Sequence, residues 1–169
     1  AVTESAKSGN VVMNIDIGGG TSKVAICQAG KVLEVTAIDV GARLLAVDGD
    51  GKIDRIEDAG RYYAQKAGVN VGIGTLLSES DVEAIVDVMV DRLMEVASLK
   101  DMTDETKSLL RLPPLAYRGD VDSVIFSGGV SEFIYGHEHR SFGDLGTTLA
   151  KKVRARMGEI GAMMMVPDA

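Results

Sequence analysis

Apolar and polar residues alternate along the first quarter of the chain, and this pattern predicts short strands. In the segment VVMNIDI, polar Asn14 and Asp16 separate apolar residues, as expected for a strand with one buried face. Short turn segments follow it, and the alternation then resumes twice. The predicted strands are residues 11–17, 21–27 and 32–40. Consecutive strands joined by tight turns predict an antiparallel three-strand meander.

Helical spacing replaces alternation in the second half of the chain. The clearest helix is predicted at residues 78–98, where apolar residues recur every three or four positions and Ser78 with Asp81 offers a capping box. Further helices are predicted at residues 58–67, 130–135 and 142–158. Strands are predicted at 121–126 and 163–166, and a small hairpin at 46–53. Strands interleaved with helices predict an α/β fold with a mixed sheet and flanking helices.

The two ends of the chain suggest its domain organisation. Residues 1–10 are polar and aperiodic, and we expect a flexible tail there. Residues 11–169 are predicted to form a single lobe, a size that allows one hydrophobic core. The first residue is Ala rather than Met, and the chain stops just after a predicted strand, so we expect a piece of a longer protein.

Composition excludes several classes of protein. Hydrophobic residues make up 46% of the chain, as in a packed globular domain. The net charge of −7 argues against a nucleic-acid partner, because phosphate neutralisation requires clustered Lys and Arg. No apolar run reaches the roughly 18–20 residues that span a bilayer. Cys27 is the single cysteine, which rules out an internal disulfide. We expect no membrane association and a cytoplasmic location.

The first candidate site is the glycine loop between the first two predicted strands. Gly18, Gly19 and Gly20 allow a sharp reversal that brings backbone N–H groups against an anion, and Thr21 adds a hydroxyl donor. Asp16 is placed to hold a hydrated magnesium ion. The loop is neither a Walker loop nor a Rossmann fingerprint, since the spacing differs and a strand follows the glycines. A ligand-free hairpin is the alternative interpretation.

The second candidate site follows the predicted strand at residues 121–126. Ser127, Gly128, Gly129 and Val130 lead from this strand into a helix. The two glycines let a flat base or ribose lie against the backbone, and the helix N-terminus favours a phosphate nearby. A single nucleotide bridging both glycine loops is the prediction, although many strand-to-helix turns contain two glycines.

Together these loops resemble the second phosphate motif and the adenosine motif of the actin-like ATPase superfamily, whose fold is ribonuclease H-like. The segments 14–23, 39–44, 126–136 and 142–146 narrow the resemblance to the ethanolamine ammonia-lyase reactivating factor family (EutA). The most specific block is the Tyr-Gly and Phe-Gly-Asp-Leu-Gly extension after the second loop. In the segment 39–44, Ala42 stands where we expect a second glycine in many relatives.

The resemblance implies one lobe of a two-lobed fold that binds ATP and Mg²⁺. It assigns catalysis and water-mediated Mg²⁺ binding to Asp16, and nucleotide binding to Gly18, Gly19, Gly20, Thr21, Lys23, Ser127, Gly128, Gly129 and Val130. The implied partner is ethanolamine ammonia-lyase, from which ATP-driven reactivases release damaged cobalamin, in the cytoplasm or in a bacterial microcompartment. The first phosphate motif of the superfamily has no match here. We therefore expect the missing second lobe to be required for ATP hydrolysis.

Other interpretations remain open at this point. A small-molecule kinase of the same fold needs a general base, which the missing lobe would supply. A filament-forming or scaffold protein of actin type is a third class. Arg43 is expected either to be solvated or salt-bridged, or to make a contact across the nucleotide cleft between the two lobes of this fold. His137 and His139 lack further nearby ligands for a metal.

Overall fold

A computed structural model describes residues 1–138 and 143–165 of the chain. The strands are β1 (Val11–Ile17), β2 (Ser22–Gln28), β3 (Lys31–Ile38), β4 (Leu45–Val47), β5 (Ile53–Ile56), β6 (Ser123–Ser127) and β7 (Met163–Met165). The helices are α1 (Val2–Ser8), α2 (Asp58–Lys66), α3 (Glu79–Ala97), α4 (Asp104–Ser108), α5 (Ser131–Ile134) and α6 (Gly146–Ala155), and a short 3-10 helix covers Met157–Ile160.

The central sheet has five strands in the order β3-β2-β1-β6-β7. The pairs β1–β2 and β2–β3 are antiparallel, whereas β6 runs parallel to β1 and β7 runs parallel to β6. Strands β4 and β5 form a separate antiparallel hairpin. This is the mixed sheet with an N-terminal three-strand meander that the alternation and helical spacing predicted, so the prediction of an α/β fold is confirmed.

The core lies between one face of this sheet and the helices. Alternate residues of β1, namely Met13, Ile15 and Ile17, are fully buried, as their period of two requires. Helix α3 packs on the sheet and against α6, and it buries an apolar stripe that includes Ile85 and Leu93. The predicted capping box is present, since the N–H of Asp81 donates to Ser78 Oγ at 3.1 Å and the N–H of Ser78 donates to Asp81 Oδ2 at 3.3 Å.

The prediction of a flexible tail at residues 1–10 is wrong for most of this segment, because helix α1 occupies Val2–Ser8. Ser5 is fully buried, and its Oγ accepts a hydrogen bond at 3.0 Å from the N–H of Gly30 in the β2–β3 turn. Gly9 ends the helix in the left-handed conformation, with φ of 71°. Docking on the meander stabilises a segment whose own sequence is too short and polar to form a helix alone.

The last helix also differs from its prediction at residues 142–158. Position 142 lies outside the described residues, and α6 begins only at Gly146. Gly143 has φ of 71°, which is incompatible with helical backbone, so the helix starts beyond it. The helix then ends at Ala155 and a 3-10 turn follows. The strand predicted at 163–166 is confirmed over Met163–Met165, and residue 166 is outside the described range.

Candidate functional site

The two glycine loops leave the sheet at the same edge. Ile17 pairs with Ser22, so the residues between them form the four-residue loop that joins β1 to β2. The second loop connects β6 to α5. Because β1 and β6 are parallel neighbours, both loops lie at the carboxyl ends of these strands, the edge at which open α/β sheets bind ligands. The N–H of Val130 donates to the carbonyl of Ile17 at 3.4 Å and ties the loops together.

A cleft of about 310 Å³ lies between these loops, and we call it the inter-loop cleft. Its volume is at the lower end of the range of small-molecule sites. Four predicted site residues line it, two from each loop. The lining consists of Gly18, Gly19, Gly129 and Val130 together with Ala42, Arg43, Phe133, Asp144 and Gly146.

A second cavity of about 420 Å³, which we call the arginine pocket, also adjoins the first glycine loop. Gly20 and Thr21 contribute to its walls, and so do the start of α2 and three arginines, Arg43, Arg55 and Arg111. Gly19 and Arg43 line both cavities. A ligand that crosses Gly19 would therefore occupy the cleft and the pocket at once.

Backbone hydrogen bonds orient the first glycine loop. The N–H of Ala42 donates to the carbonyl of Gly18 at 3.0 Å, and the N–H of Arg43 donates to that of Gly19 at 2.8 Å. In a trans peptide the N–H points opposite to the carbonyl, so the N–H groups of Gly19 and Gly20 point away from this segment. Within residues 1–138 and 143–165, no protein group accepts a hydrogen bond from either N–H. Both remain available to an anion.

Gly18 and Gly128 have structural tasks. The N–H of Gly18 donates to the carbonyl of Thr21 at 3.1 Å and closes the loop, so this donor is already used. Gly128 has φ of 83°, and a β-carbon there would lie 2.5 Å from both the Asp16 carboxylate and the Ile17 carbonyl. Glycine at position 128 therefore lets the second loop pack against the end of β1. In contrast, a β-carbon on Gly129 would meet no atom within 4 Å.

The structure does not bring every predicted site residue into a cavity wall. Asp16 pairs across the sheet with Lys23 on β2 and with Ser127 on β6. These three residues and Gly128 are not part of the lining of either cavity. The Mg²⁺ role of Asp16 and the nucleotide contacts of Lys23 and Ser127 stay predictions. Among the described residues, no group of three or more His, Cys, Asp or Glu side chains is close enough to hold a metal ion.

Several lining residues escaped the sequence analysis. Asp144 is 11% exposed, and its Oδ2 lies 3.7 Å from Nη1 of Arg43. Its Oδ1 accepts a hydrogen bond at 2.8 Å from the N–H of Gly146 at the start of α6. Arg43 is therefore salt-bridged and also faces the cleft. The Phe-Gly-Asp-Leu-Gly block is a family feature, but nothing in its local sequence predicts that Asp144 lies beside Arg43.

The loop that contains His137 and His139 is described only in part. His137 Nδ1 lies 3.6 Å from the carboxylate of Glu132, and both side chains are exposed. His139 lies outside the described residues.

Comparison with known proteins identifies the family. Residues 1–166 match the family described as ethanolamine utilisation protein EutA. The chain belongs to the EutA family. It is 31% identical over 145 residues to the ethanolamine ammonia-lyase reactivase EutA of Salmonella typhimurium, and 30% identical over 150 residues to that of Escherichia coli. Each alignment covers 82% of this chain, and the chain spans 30% of the length of these curated relatives.

Two further observations accompany this assignment. Among solved structures, the Ppx/GppA phosphatase of Aquifex aeolicus is similar to this EutA chain with a TM-score of 0.38 and 16% identity, over 79% of this chain and 30% of that one. In the described ranges of this EutA family member, none of the helices is both long and apolar enough to cross a membrane.

Proposed function

We propose that this chain is the ATP-binding lobe of an ethanolamine ammonia-lyase reactivase. The observation that carries the proposal is the inter-loop cleft, whose walls combine Gly19 of the first loop with Gly129 of the second. A nucleotide needs such a pair of surfaces, one rich in N–H donors for its phosphates and one open enough for its sugar and base. Membership of the EutA family supports ethanolamine ammonia-lyase as the partner enzyme.

In the proposed complex, the phosphates bind along the first glycine loop. The N–H groups of Gly19 and Gly20 would donate to them, and the Thr21 hydroxyl in the arginine pocket would add a third donor. Adenosine would lie against Gly129, Val130 and Phe133. Asp16 would hold Mg²⁺ through water, since Mg²⁺ keeps several waters when it binds through one carboxylate.

The proposed cycle uses ATP to change the orientation of two lobes. Phosphoryl transfer to water requires the γ-phosphate to be held from several sides, together with Mg²⁺ and an oriented nucleophile. This chain supplies one side, the loop from Gly18 to Thr21. Closure of an opposing lobe would complete the site and bias a surface that binds ethanolamine ammonia-lyase, so that damaged cobalamin leaves and intact cofactor enters. The setting would be the cytoplasm or a bacterial microcompartment.

Nucleotide binding can be tested by NMR titration of this chain with Mg-ATP. Without an opposing lobe the phosphates stay in contact with water. We therefore expect a dissociation constant in the millimolar range, which corresponds to a binding free energy of about −4 kcal/mol. Mg-ATP should shift the amide resonances of Gly19, Gly20, Gly129 and Val130. Replacing Gly129 with Leu fills the cleft without a clash at the β-carbon, and it should abolish these shifts while the fold is retained.

The matched control is Gly158→Leu, because a β-carbon there also meets no atom within 4 Å and Gly158 lies in the 3-10 helix, outside both cavities. This variant should bind Mg-ATP like the unmodified chain. An unchanged titration of Gly129→Leu would contradict the proposed site. Micromolar affinity with steady phosphate release by this chain alone, abolished by Asp16→Ala, would show a complete enzyme rather than one lobe.

Reactivation is tested with the protein that carries this lobe. Ethanolamine ammonia-lyase inactivated by a damaged cobalamin should regain activity when ATP, Mg²⁺, adenosylcobalamin and the reactivase are all added, and omission of ATP should prevent recovery. Phosphorylation of a small molecule without reactivation would instead favour the kinase alternative.

A further inference from the structure

Arg43 occupies the boundary between the inter-loop cleft and the arginine pocket. Its aliphatic segment lies over the first glycine loop, because a β-carbon on Gly19 would be 3.6 Å from Cβ, Cγ and Cδ of Arg43. The side chain is 48% exposed, and it lines both cavities. Its own N–H holds the carbonyl of Gly19, so its backbone position is linked to the loop.

The three arginines of the arginine pocket differ in how well their charges are paired. Arg111 Nε is hydrogen-bonded to the carboxylate of Asp39. Arg55 Nη2 donates to Glu57 Oε1 at 2.8 Å. The guanidinium of Arg43 approaches Asp144 only to 3.7 Å, which is longer than a hydrogen bond. Among these three, Arg43 therefore has the charge that a further anion would satisfy most.

The carboxylate of Asp144 has a hydrogen bond within the protein, whereas the guanidinium of Arg43 has, among the described residues, no polar contact shorter than its ion pair with Asp144. One carboxylate oxygen of Asp144 is hydrogen-bonded to the N–H of Gly146, and the side chain is nearly buried. An arginine side chain has several rotatable bonds and half of this one is in solvent. When an anion competes with Asp144, we expect the guanidinium to move and the carboxylate to stay.

We propose that Arg43 gives up its contact with Asp144 and binds the terminal phosphates of the nucleotide instead. This inference rests on the proposed function. A nucleotide with its adenosine against Gly129 and its α-phosphate beside Gly19 extends its β- and γ-phosphates into the arginine pocket. The guanidinium of Arg43 meets them there with the paired N–H donors that phosphate oxygens match. Arg43 then distinguishes ATP from AMP.

The test is an NMR titration of this chain with Mg-ATP and, separately, with AMP. Arg43→Gln should weaken ATP binding about tenfold, the size expected for a hydrogen bond to a charged group, while AMP binding changes less than about twofold. Asp144→Asn keeps the oxygen that accepts from Gly146 and removes the competing charge. It should tighten ATP binding by about threefold, as expected when a partly exposed ion pair is released.

The control is Arg61→Gln, which removes the same charge from an exposed residue of α2 outside the lining of both cavities. It should leave both titrations unchanged. If Arg61→Gln weakens ATP binding as much as Arg43→Gln does, the proposed role of Arg43 is wrong. The same holds if Arg43→Gln weakens ATP binding and AMP binding equally. Neither result would contradict the nucleotide site itself. Absence of any shift with ATP or AMP at about 20 mM, well above the expected millimolar constant, would refute the proposed function and the inference together.

Discussion

Gly41 and Gly19 lie in backbone contact: a β-carbon on Gly41 would be 2.3 Å from the carbonyl oxygen of Gly19. Gly41 belongs to the segment that leaves β3 and crosses behind the first glycine loop. The next two residues donate their N–H groups to the carbonyls of Gly18 and Gly19. The orientation of the loop, and with it the direction of its free N–H groups, therefore depends on a glycine about twenty residues away along the chain.

Gly41→Ala should destabilise the protein by about 2 kcal/mol, because the added methyl group forces backbone atoms apart in a close-packed region. Urea unfolding followed by circular dichroism measures this. Gly49→Ala is the control, since its β-carbon meets no atom within 4 Å and Gly49 lies in the turn between β4 and β5. A Gly41→Ala variant as stable as the control would mean that the two segments separate without cost.

Tyr135→Phe should loosen the β7 edge of the sheet. The hydroxyl of Tyr135 accepts a hydrogen bond from the N–H of Phe126 at 2.7 Å and donates to the carbonyl of Met165 at 2.8 Å, so it bridges β6 and β7. Its loss removes two partly buried hydrogen bonds, and we expect a destabilisation of about 1–2 kcal/mol. Faster amide hydrogen exchange at Phe126 should accompany it.

Tyr117→Phe is the matched control for this hydroxyl. The hydroxyl of Tyr117 donates to the carbonyl of Asp120 at an exposed site, where water replaces it. A small effect is expected. If the two variants lose the same stability and exchange at Phe126 is unchanged, Tyr135 does not hold the strands together.

Glu95→Gln should destabilise the protein at neutral pH and progressively less in acid. Burial acts to raise the pKa of Glu95, but hydrogen bonds from Thr106, Thr103 and Arg92 outweigh it and lower the pKa below its ordinary value of 4.5. A carboxyl group whose pKa is depressed by folding contributes stability above its unfolded pKa, and this contribution is lost as pH falls through the folded pKa. We expect a difference of about 2 kcal/mol at neutral pH, which shrinks below pH 4.5.

Urea unfolding of both proteins across the acid range measures this difference. Glu79→Gln at the exposed start of the same helix is the control, with an expected effect below about 0.5 kcal/mol at neutral pH. A Glu95→Gln difference that stays constant from neutral pH to well below the ordinary pKa of a carboxyl group would show that ionisation of Glu95 does not contribute.

Asp16→Asn should weaken the binding of Mg-ATP but not that of ATP with the metal removed by EDTA. The neutral amide keeps the shape of the side chain and is a poorer partner for the waters around Mg²⁺. NMR titration under both conditions measures the two constants. Asp54→Asn, an exposed charge change on β5, should alter neither. Equal loss under both conditions would show that Asp16 supports the loop rather than the metal.

The sequence was informative wherever neighbours along the chain determine the structure. Alternation located β1 and β2, helical spacing with a capping box located α3, and glycine runs marked both loops of the cleft. Each of these signals depends on residues a few positions apart. A strand, a helix and a turn are local arrangements of the backbone, and their signatures are therefore readable in the order of residues.

Tertiary contacts decided the rest. Helix α1 forms because Ser5 docks on the Gly30 turn, and the mostly polar and small residues of this seven-residue helix do not predict that contact. The wall that Arg43 and Asp144 make across the cleft joins positions about a hundred residues apart. Whether Asp16, Lys23 and Ser127 face a cavity was likewise set by the sheet order and not by their neighbours. Packing selects among the many distant pairs that a chain allows, and local periodicity carries no record of that choice.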